Sequence, residues 1–401
     1  MALRGRALSG RALSGGDPTI RRIVFVTLDG SVGGGQVFLL YLLRWLRHQT
    51  DISTELLAWH GGPLLDRYAE LTPVRVLDDL NEWRPARVFE VLGFQRLTGL
   101  LKSSRLRWWL VQRRRGDLLY VNGLEAARIL GFTTLAGPRA VVHVHDIAEL
   151  HSDRLTLADR QLITERAALF VAASDEIAEA LHRELGVDRD RIVRHDYVIA
   201  GGTEGPLVSL HPPSRADLGI GTDELVVGCT GPADWWKEPE QFVLLAWAVR
   251  RRLPDRPLRF LWVADDPDER LLWPLRHDLR NAGIEECTTV VSGPKPFDFL
   301  ASMDVLIISG RHEPPELLVF EAVGAGTAVV CTDNLLRDTP ARTTAEVVPY
   351  LDIDALADAV VALATDEARR RALVDAGCET ARRHHDVTVG ARRLLAAVRA
   401  T

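Results

Sequence analysis

The sequence predicts an α/β protein made of two doubly wound domains that face each other across a central cleft. Short apolar runs alternate with amphipathic helical segments in both halves of the chain. A Gly- and Pro-rich stretch at 199–221 interrupts this alternation. The chain of 401 residues is long enough for two ordinary domains. We therefore expect each half to form a parallel sheet covered by helices.

Five short runs in the first half have the β-branched and aliphatic composition of buried strands. They lie at 22–28, 52–59, 117–122, 140–145 and 169–174. The segment after the last of these runs has helical periodicity, with Ser174 as its N-cap and Gly186 at its end. This succession of strand and helix is typical of a parallel sheet.

The second half repeats the pattern and ends in a helical segment that no strand follows. Its predicted strands lie at 224–230, 258–264, 288–293, 304–309 and 327–332. The expected units are a disordered tail, a first domain, a linker, a second domain and a terminal helix, over 1–20, 21–200, 201–222, 223–385 and 386–401.

Composition limits the classes of partner and the compartment. A net charge of −6 argues against a nucleic-acid-binding protein. The four cysteines are scattered, without metal-ligand spacing, as in a reduced, cytoplasmic protein. No apolar run reaches the length of a membrane span. The basic segment 96–116 leaves two interpretations open: a solvated helix whose tryptophans pack on the core, or an interfacial helix that makes peripheral contact with anionic membrane.

Two acidic residues, Glu313 and Glu321, surround a double proline and an apolar run in RHEPPELLVFEAVGAG. The prolines suit the first turn of a helix that follows the strand at 304–309. Glu321 then lies inside an apolar stretch, where an unpaired charge is expensive. Both carboxylates are expected near the carboxyl end of a parallel strand, where open α/β sheets bind ligands.

The glycine run in SVGGGQVFLL follows the first predicted strand and precedes a helix. A tight turn explains one glycine or two. Three in succession, Gly33, Gly34 and Gly35, leave room for a phosphate or a sugar hydroxyl to approach the backbone amides. The run is not GxGxxG, which disfavours a dinucleotide.

His145 and Lys237 each have a structural and a functional interpretation. His145 ends a predicted buried strand, on the same face as His143, so one of the two histidines is expected to be a core residue. Lys237 follows a predicted strand, at a place where a solvated lysine is common. Only three lysines occur among 49 basic residues, however, so each lysine merits attention.

Taken in order, these motifs resemble those of a family 4 glycosyltransferase of the GT-B architecture, over most of residues 21–390. The resemblance rests on SVGGGQVFLLYLL, VVHVHDIAEL, VVGCTGPADWWKEPEQF and the E-x7-E spacing of Glu313 and Glu321. It implies two Rossmann-like domains, with the acceptor in the first and the nucleotide in the second. It also implies that the C-terminal helix crosses back to the first domain.

The resemblance assigns roles residue by residue. His145 lies by the donor sugar, Lys237 offsets the charge of the leaving diphosphate, and Glu313 binds the hydroxyl groups of the donor sugar. Glu321 binds the ribose. The remaining donor-binding positions are Gly33, Gly34, Gly231, Glu316, Leu317 and Leu318. An arginine that the family usually has before the lysine is absent from CTGPAD, so either Arg311 replaces it or the phosphates are bound more weakly.

The activity that the resemblance implies is retaining, metal-independent transfer of a sugar from a UDP- or GDP-linked donor, without a further cofactor. The acceptor is a hydroxyl group of a cell-envelope glycan or lipid, or of a small-molecule natural product. Two alternatives remain. One is a nucleotide-sugar epimerase or a phosphorylase-like enzyme of the same fold. The other is a catalytically weakened subunit that binds nucleotide sugar and assists another protein.

Overall fold

The computed structural model describes most of both predicted domains. The described residues are 20–31, 33–77, 117–133, 139–195, 213–264, 269–292, 296–311, 316–336, 340–384 and 386–399. Glu313, the basic segment 96–116, the predicted tail up to residue 19 and residues 201–212 of the predicted linker lie outside them.

The first sheet contains seven parallel strands in the order β3-β2-β1-β4-β5-β6-β7. The strands are β1 (Arg22–Thr27), β2 (Ser53–Ala58), β3 (Val74–Val76), β4 (Asp117–Asn122), β5 (Arg139–Val144), β6 (Leu169–Ala172) and β7 (Ile192–Arg194). The helices of this domain are α1 (Gly34–Gln49), α2 (Leu65–Leu71), α3 (Leu157–Arg166) and α4 (Asp175–Leu185), with 3-10 turns at Glu125–Phe132, Ile147–His151 and Arg189–Arg191.

The second sheet contains six parallel strands in the order β10-β9-β8-β11-β12-β13. The strands are β8 (Leu225–Thr230), β9 (Leu258–Ala264), β10 (Thr288–Ser292), β11 (Val305–Ile308), β12 (Ala328–Thr332) and β13 (Glu346–Val348). The helices are α5 (Pro239–Arg252), α6 (Glu269–Asn281), α7 (Glu316–Gly324), α8 (Ile353–Thr365), α9 (Glu367–His384) and α10 (Val387–Arg399). The 3-10 turns are Glu285–Cys287, Pro296–Ser302 and Pro340–Thr344.

The ten strands predicted from sequence are all present, with ends that differ by a residue or two. Ser174 caps α4 as predicted, since its side chain accepts a hydrogen bond from the Ile177 amide at 3.1 Å. Gly186 ends that helix with φ +68°. The strands β3, β7 and β13 were not predicted. Each has only three residues, which is too short to show a period.

Each sheet has one point at which the strand order reverses. The reversal lies between β1 and β4 in the first sheet and between β8 and β11 in the second. The loops that follow these strands diverge to opposite faces of the sheet and leave a crevice at its carboxyl edge. This topology places the glycine loop after β1 and the lysine loop after β8 at these two crevices.

The C-terminal helix crosses back to the first domain, as predicted. Its residues Ala391, Leu394, Leu395 and Val398 are buried. The indole Nε1 of Trp45 on α1 donates a hydrogen bond to Thr388 Oγ1 on α10 at 3.2 Å. One apolar cluster joins buried residues of both domains, including Phe38 and Leu317. Apolar side chains of the two domains therefore contact each other. Among the described residues no helix combines the length and the apolar character that a membrane span requires.

Candidate functional site

A cavity of about 360 Å³ lies at the carboxyl edge of the first sheet and reaches the second domain. Its walls come from the loops after β1, β4 and β5 and from the first turn of α7. The lining residues are Leu28, Gly33, Gly34, Gly35, Gln36, Asn122, Gly123, Glu125, Ala126, His145, Asp146, Glu149, Arg154 and Leu317. The structure thus brings Gly33, Gly34, His145 and Leu317 together at one cavity.

The glycine loop presents the amino end of α1 to this cavity. Gly33 is extended, with φ −85° and ψ 162°, and precedes the helix. The first turn of α1 carries no acidic residue of its own to offset the partial positive charge at the amino end of the helix. Gly35 has a packing reason as well, because a Cβ atom there would lie 2.6 Å from His145 Cδ2. Gly35 is therefore needed because a larger residue would clash with the ring of His145.

His145 is held in one ring orientation by Asn122. The Asn122 side-chain nitrogen donates to the Gly35 carbonyl at 3.1 Å, which turns Asn122 Oδ1 toward His145 Nε2 at 2.8 Å. That nitrogen must then carry the proton. Burial, together with nearby His195, lowers the pKa of His145 to about 3. His145 is consequently a neutral imidazole near pH 7, suited to hydrogen bonding and unsuited to acting as a cation.

His143 is the core member of the histidine pair. Its side chain is 1% exposed, and its Nδ1 lies 2.7 Å from the Tyr120 hydroxyl. The imidazole rings of His143 and His145 are 3.9 Å apart, and Phe38 on α1 contacts both rings. Burial lowers the pKa of His143 well below its usual range. His143 and His145 thus pack against each other on one face of the strand, and of these two only His145 lines the cavity.

Glu149 was missed by sequence reasoning and organises the cavity wall. One carboxylate oxygen accepts from the amides of His145 at 2.9 Å and Asp146 at 3.2 Å, and the other accepts from the Leu124 amide. Glu149 therefore ties the loop after β4 to the loop after β5. Burial raises the pKa of Glu149 to about 7, although the three amides favour its ionised form. The Asp146-x-x-Glu149 spacing of a capping box was the available signal.

A charged rim borders the cavity on the first domain. Arg154 Nη1 lies 3.3 Å from Glu125 Oε2, and the Ser152 hydroxyl donates to the other oxygen of Glu125. The Arg154 side chain is 71% exposed, so this ion pair is weak. With Asp146 and Glu149, the cavity carries three carboxyl groups and one guanidinium.

The loop after β8 places Lys237 at the reversal point of the second sheet. Gly231 has φ +124°, and a Cβ atom there would lie 2.6 Å from Lys237 Cε. The aliphatic stem of the lysine therefore packs over a glycine. Gly310, after β11, has φ +145°, and a Cβ atom there would lie 2.7 Å from the Trp236 carbonyl. Two glycines at strand ends thus allow the lysine loop to lie close to the sheet edge.

Arg311, the suggested replacement for the absent arginine, is engaged in this loop. Its guanidinium pairs with Glu238 at 3.2 Å and donates to the Trp235 carbonyl at 2.9 Å. Glu238 is buried, has φ +48°, and also accepts from the Tyr350 hydroxyl at 2.9 Å. Arg311 therefore shares its guanidinium between Glu238 and the Trp235 carbonyl, and its role at the diphosphate stays a prediction.

Helix α7 begins at Glu316 and carries the remaining predicted donor-binding residues. Glu316 and Leu317 are buried and Leu318 is half-buried. Glu321 is 2% exposed, and one of its oxygens accepts a hydrogen bond from the Tyr41 hydroxyl on α1. Burial raises the pKa of Glu321 to about 7, against the opposing effects of Tyr41 and Arg67. Glu321 therefore lies at the contact between the domains, while the place of Glu313 falls outside the described residues.

Within the described ranges, no group of three or more His, Cys, Asp or Glu side chains is arranged to hold a metal ion. The metal-independent mechanism remains a prediction from sequence.

Comparison with known proteins identifies the family. Residues 32–194 match the family model described as Glycosyltransferase Family 4, and residues 224–366 match the model described as Glycosyl transferases group 1. The two matches lie in order along the chain and together cover most of it. The chain belongs to the family 4, group 1 glycosyltransferases. The prediction made from the four motifs is confirmed.

Relatives of this glycosyltransferase-family chain include a D-inositol 3-phosphate glycosyltransferase of Rhodococcus erythropolis (strain PR4 / NBRC 100887). The two are 30% identical over 186 residues, which is 44% of this chain and 40% of the relative. The matched region thus spans less than half the length of that relative.

Solved structures establish the GT-B fold of this family member. Anabaena Alr3699/HepE in complex with UDP-glucose superposes with a TM-score of 0.71 at 16% identity, covering 95% of this chain and 100% of that one. The sucrose-phosphate synthase of Thermosynechococcus elongatus gives 0.64 at 17% identity, covering 94% and 98%. The predicted fold class is confirmed.

Proposed function

We propose that the protein is a retaining, metal-independent glycosyltransferase that moves a sugar from a UDP- or GDP-linked donor to an acceptor hydroxyl group. The observation that carries this proposal is the cavity in which Gly33, Gly34 and His145 face Leu317 at the start of α7. A cleft between two Rossmann-like domains can hold a donor and an acceptor next to each other. Family membership and the named activity of the Rhodococcus relative support the reaction class.

The leaving diphosphate needs stabilisation, because its negative charge grows as the glycosidic bond breaks. Lys237 is the candidate cation. Its loop follows β8, and its stem is supported by Gly231. The amino ends of α1 and α7 offer further N–H groups. In this proposal Glu313 binds the donor sugar, and Glu316, Leu317 and Leu318 present their amides to it.

The acceptor hydroxyl must lose a proton during transfer. His145 is a poor candidate for the base, since burial lowers its pKa to about 3 and its Nε2 proton is bound to Asn122. The departing phosphate is the proposed base, with attack and departure on the same face of the sugar. His145 then has a positioning role, as a neutral hydrogen-bonding group beside the donor sugar.

The acceptor is proposed to bind in the first domain, where Glu125 and Asp146 border the cavity. Carboxylates are good acceptors for hydroxyl groups, which suits a polyol or a sugar. The acceptor can be a free small molecule or the exposed sugar of a cell-envelope glycan or lipid. No cofactor other than the nucleotide sugar enters this proposal.

A second candidate is a weakened nucleotide-sugar-binding subunit. The pairing of Arg311 with Glu238 favours it, because Arg311 is the replacement that the sequence suggested for the arginine absent from CTGPAD. This candidate retains donor binding and lacks transfer.

The two candidates are separated by one set of measurements. Thermal shift against UDP, GDP and their common sugar conjugates identifies the donor, since a ligand at 100 times its Kd adds about 2.7 kcal/mol to stability. Single-turnover assays then follow transfer to a polyol and sugar panel, and donor hydrolysis, with and without EDTA. Transfer that EDTA leaves unchanged is expected. Strong inhibition by EDTA contradicts the metal-independent mechanism, and donor binding without turnover supports the weakened subunit.

A further inference from the structure

Glu321 is a buried carboxyl group that is satisfied on one side only. Its Oε1 accepts from the Tyr41 hydroxyl, whereas its Oε2 is buried and has no hydrogen-bond partner among the described residues. The side chain is 2% exposed. Leaving such a group unsatisfied is costly, because a buried acceptor loses its bonds to water without replacement. The site is therefore one donor group short.

The partner of Glu321 comes from the other domain. Tyr41 lies on α1 of the first domain and is itself 2% exposed, while Glu321 lies on α7 of the second. The positive charge of Arg67, on α2, also acts on Glu321. Both groups that stabilise the carboxylate thus belong to the first domain. Oε1 of Glu321 therefore receives its hydrogen bond from the first domain, whereas Oε2, to which no described residue donates, can take its donor from a ligand.

We propose that Tyr41 is a positioning residue of the donor site, which holds one oxygen of Glu321 so that the other can accept from the hydroxyl groups of a nucleotide ribose. This inference rests on the proposed function and adds a residue of the acceptor domain to the recognition of the donor. Each oxygen of the Glu321 carboxylate then accepts a hydrogen bond from a hydroxyl group, one from Tyr41 and the other from the ribose.

The burial of Glu321 gives this arrangement an order of events. A ribose cannot reach a side chain that is 2% exposed while α1 lies against α7, so the nucleotide enters while the domains are apart. Closure then brings the Tyr41 hydroxyl to the occupied carboxylate. The bond from Tyr41 and the bond from the ribose each reduce the free-energy cost of making the other. Ribose binding therefore favours closure of the cleft, and closure favours ribose binding to the same extent.

The test is a binding cycle with the full chain. Titration calorimetry measures UDP and 2′,3′-dideoxy-UDP against the parent and Tyr41→Phe, with GDP and its dideoxy form in their place if only GDP binds. Hydrogen bonds to charged groups contribute enough that we expect Tyr41→Phe to weaken UDP binding about tenfold. The penalty for removing the ribose hydroxyls should be smaller in Tyr41→Phe than in the parent. A purely structural role for Tyr41 would leave that penalty unchanged.

A matched control and a second variant accompany the cycle. Thr388→Val removes the hydrogen bond between Trp45 and α10, which is another contact of α1 with the C-terminal part of the chain. It should leave both UDP affinity and the dideoxy penalty as in the parent. Glu321→Gln keeps the shape of the side chain, and Tyr41→Phe should have little further effect in that background. Small-angle scattering should show compaction on UDP binding in the parent that is reduced in Tyr41→Phe.

Three outcomes overturn the inference. A parent that binds neither UDP nor GDP removes the proposed function and this inference together. A parent that binds, with Tyr41→Phe showing the same UDP affinity and the same dideoxy penalty, removes the role of Tyr41 and leaves the proposed function intact. If Tyr41→Phe does not fold, an unchanged dideoxy penalty in Glu321→Gln likewise contradicts the proposed contact with the ribose.

Discussion

Asn122 Oδ1 lies 2.8 Å from His145 Nε2, and the Asn122 amide nitrogen donates to the Gly35 carbonyl at 3.1 Å. One side chain at the end of β4 thus connects the glycine loop to the histidine after β5. The relationship links two motifs that are separate in sequence, and it fixes the protonated nitrogen of the ring.

Asn122→Ala should therefore disturb both motifs. The His145 ring loses its partner for Nε2–H and the Gly35 carbonyl loses its donor, so stability should fall by about 1–3 kcal/mol. We also expect kcat to fall by about tenfold or more, since misplaced groups near reacting atoms are costly. Denaturant unfolding and donor turnover measure the two effects. Normal turnover in a destabilised variant would show that ring orientation does not matter.

Gly35→Ala should destabilise the protein, because the added Cβ lies 2.6 Å from His145 Cδ2. Overpacking of this kind costs about 1–3 kcal/mol. The matched control is Gly61→Ala, where an added Cβ has nothing within 4 Å. Thermal unfolding compares the two variants, and equal midpoints would contradict the close contact between loop and histidine.

Glu321 should make stability depend on pH. Its folded pKa of about 7 lies above that of an exposed glutamate, so the folded state holds the proton more tightly. Its contribution is most favourable below pH 4 and is lost as the pH rises to about 7. Glu321→Gln should therefore gain stability relative to the parent between pH 4 and pH 8, by up to about 3 kcal/mol. Urea unfolding at both pH values gives the difference, and a parent and variant with parallel pH profiles would refute the raised pKa.

The two glutamates of the E-x7-E motif should affect different parameters. A ribose contact exists in the ground and transition states alike, whereas a contact near the reacting carbon strengthens in the transition state. Glu321→Ala should thus weaken nucleotide binding, and Glu313→Ala should mainly lower turnover. Calorimetry and single-turnover kinetics separate the effects. If both variants bind and transfer like the parent, the donor site lies elsewhere.

Substitutions of Lys237 test how the protein stabilises the charge of the leaving diphosphate. Loss of one preorganised electrostatic group costs about a hundredfold to a thousandfold in rate, so Lys237→Ala should nearly abolish transfer. Lys237→Arg should recover only part of the rate, because a planar guanidinium does not reproduce a compact ammonium. Single-turnover transfer measures both variants. Full activity in Lys237→Ala would assign the diphosphate to other groups.

The sequence predicted the parts of the structure that local patterns determine. The central strands, the Ser174 cap and the C-terminal helix follow from composition and period over a few residues. The glycine run was explained by a tight turn or by an approaching ligand, since nothing local reveals that a histidine 110 positions later packs against Gly35. Tyr41 and Glu321 are 280 positions apart, and no periodicity joins them. Glu149 had a local signal in its capping-box spacing, but its bond to the Leu124 amide depends on the pairing of β4 with β5.

The return of α10 to the first domain has a consequence for biosynthesis. Chains fold as they emerge from the ribosome, with the N-terminal domain first. Here the face of α1 around Trp45 is covered by residues 387–399, which are translated after both sheets. Until residues 387–399 have been translated, this face of the first domain therefore remains exposed and accessible to chaperones. A fragment that stops before α10 keeps the face exposed permanently, so the two halves of the molecule are poor candidates for separate expression.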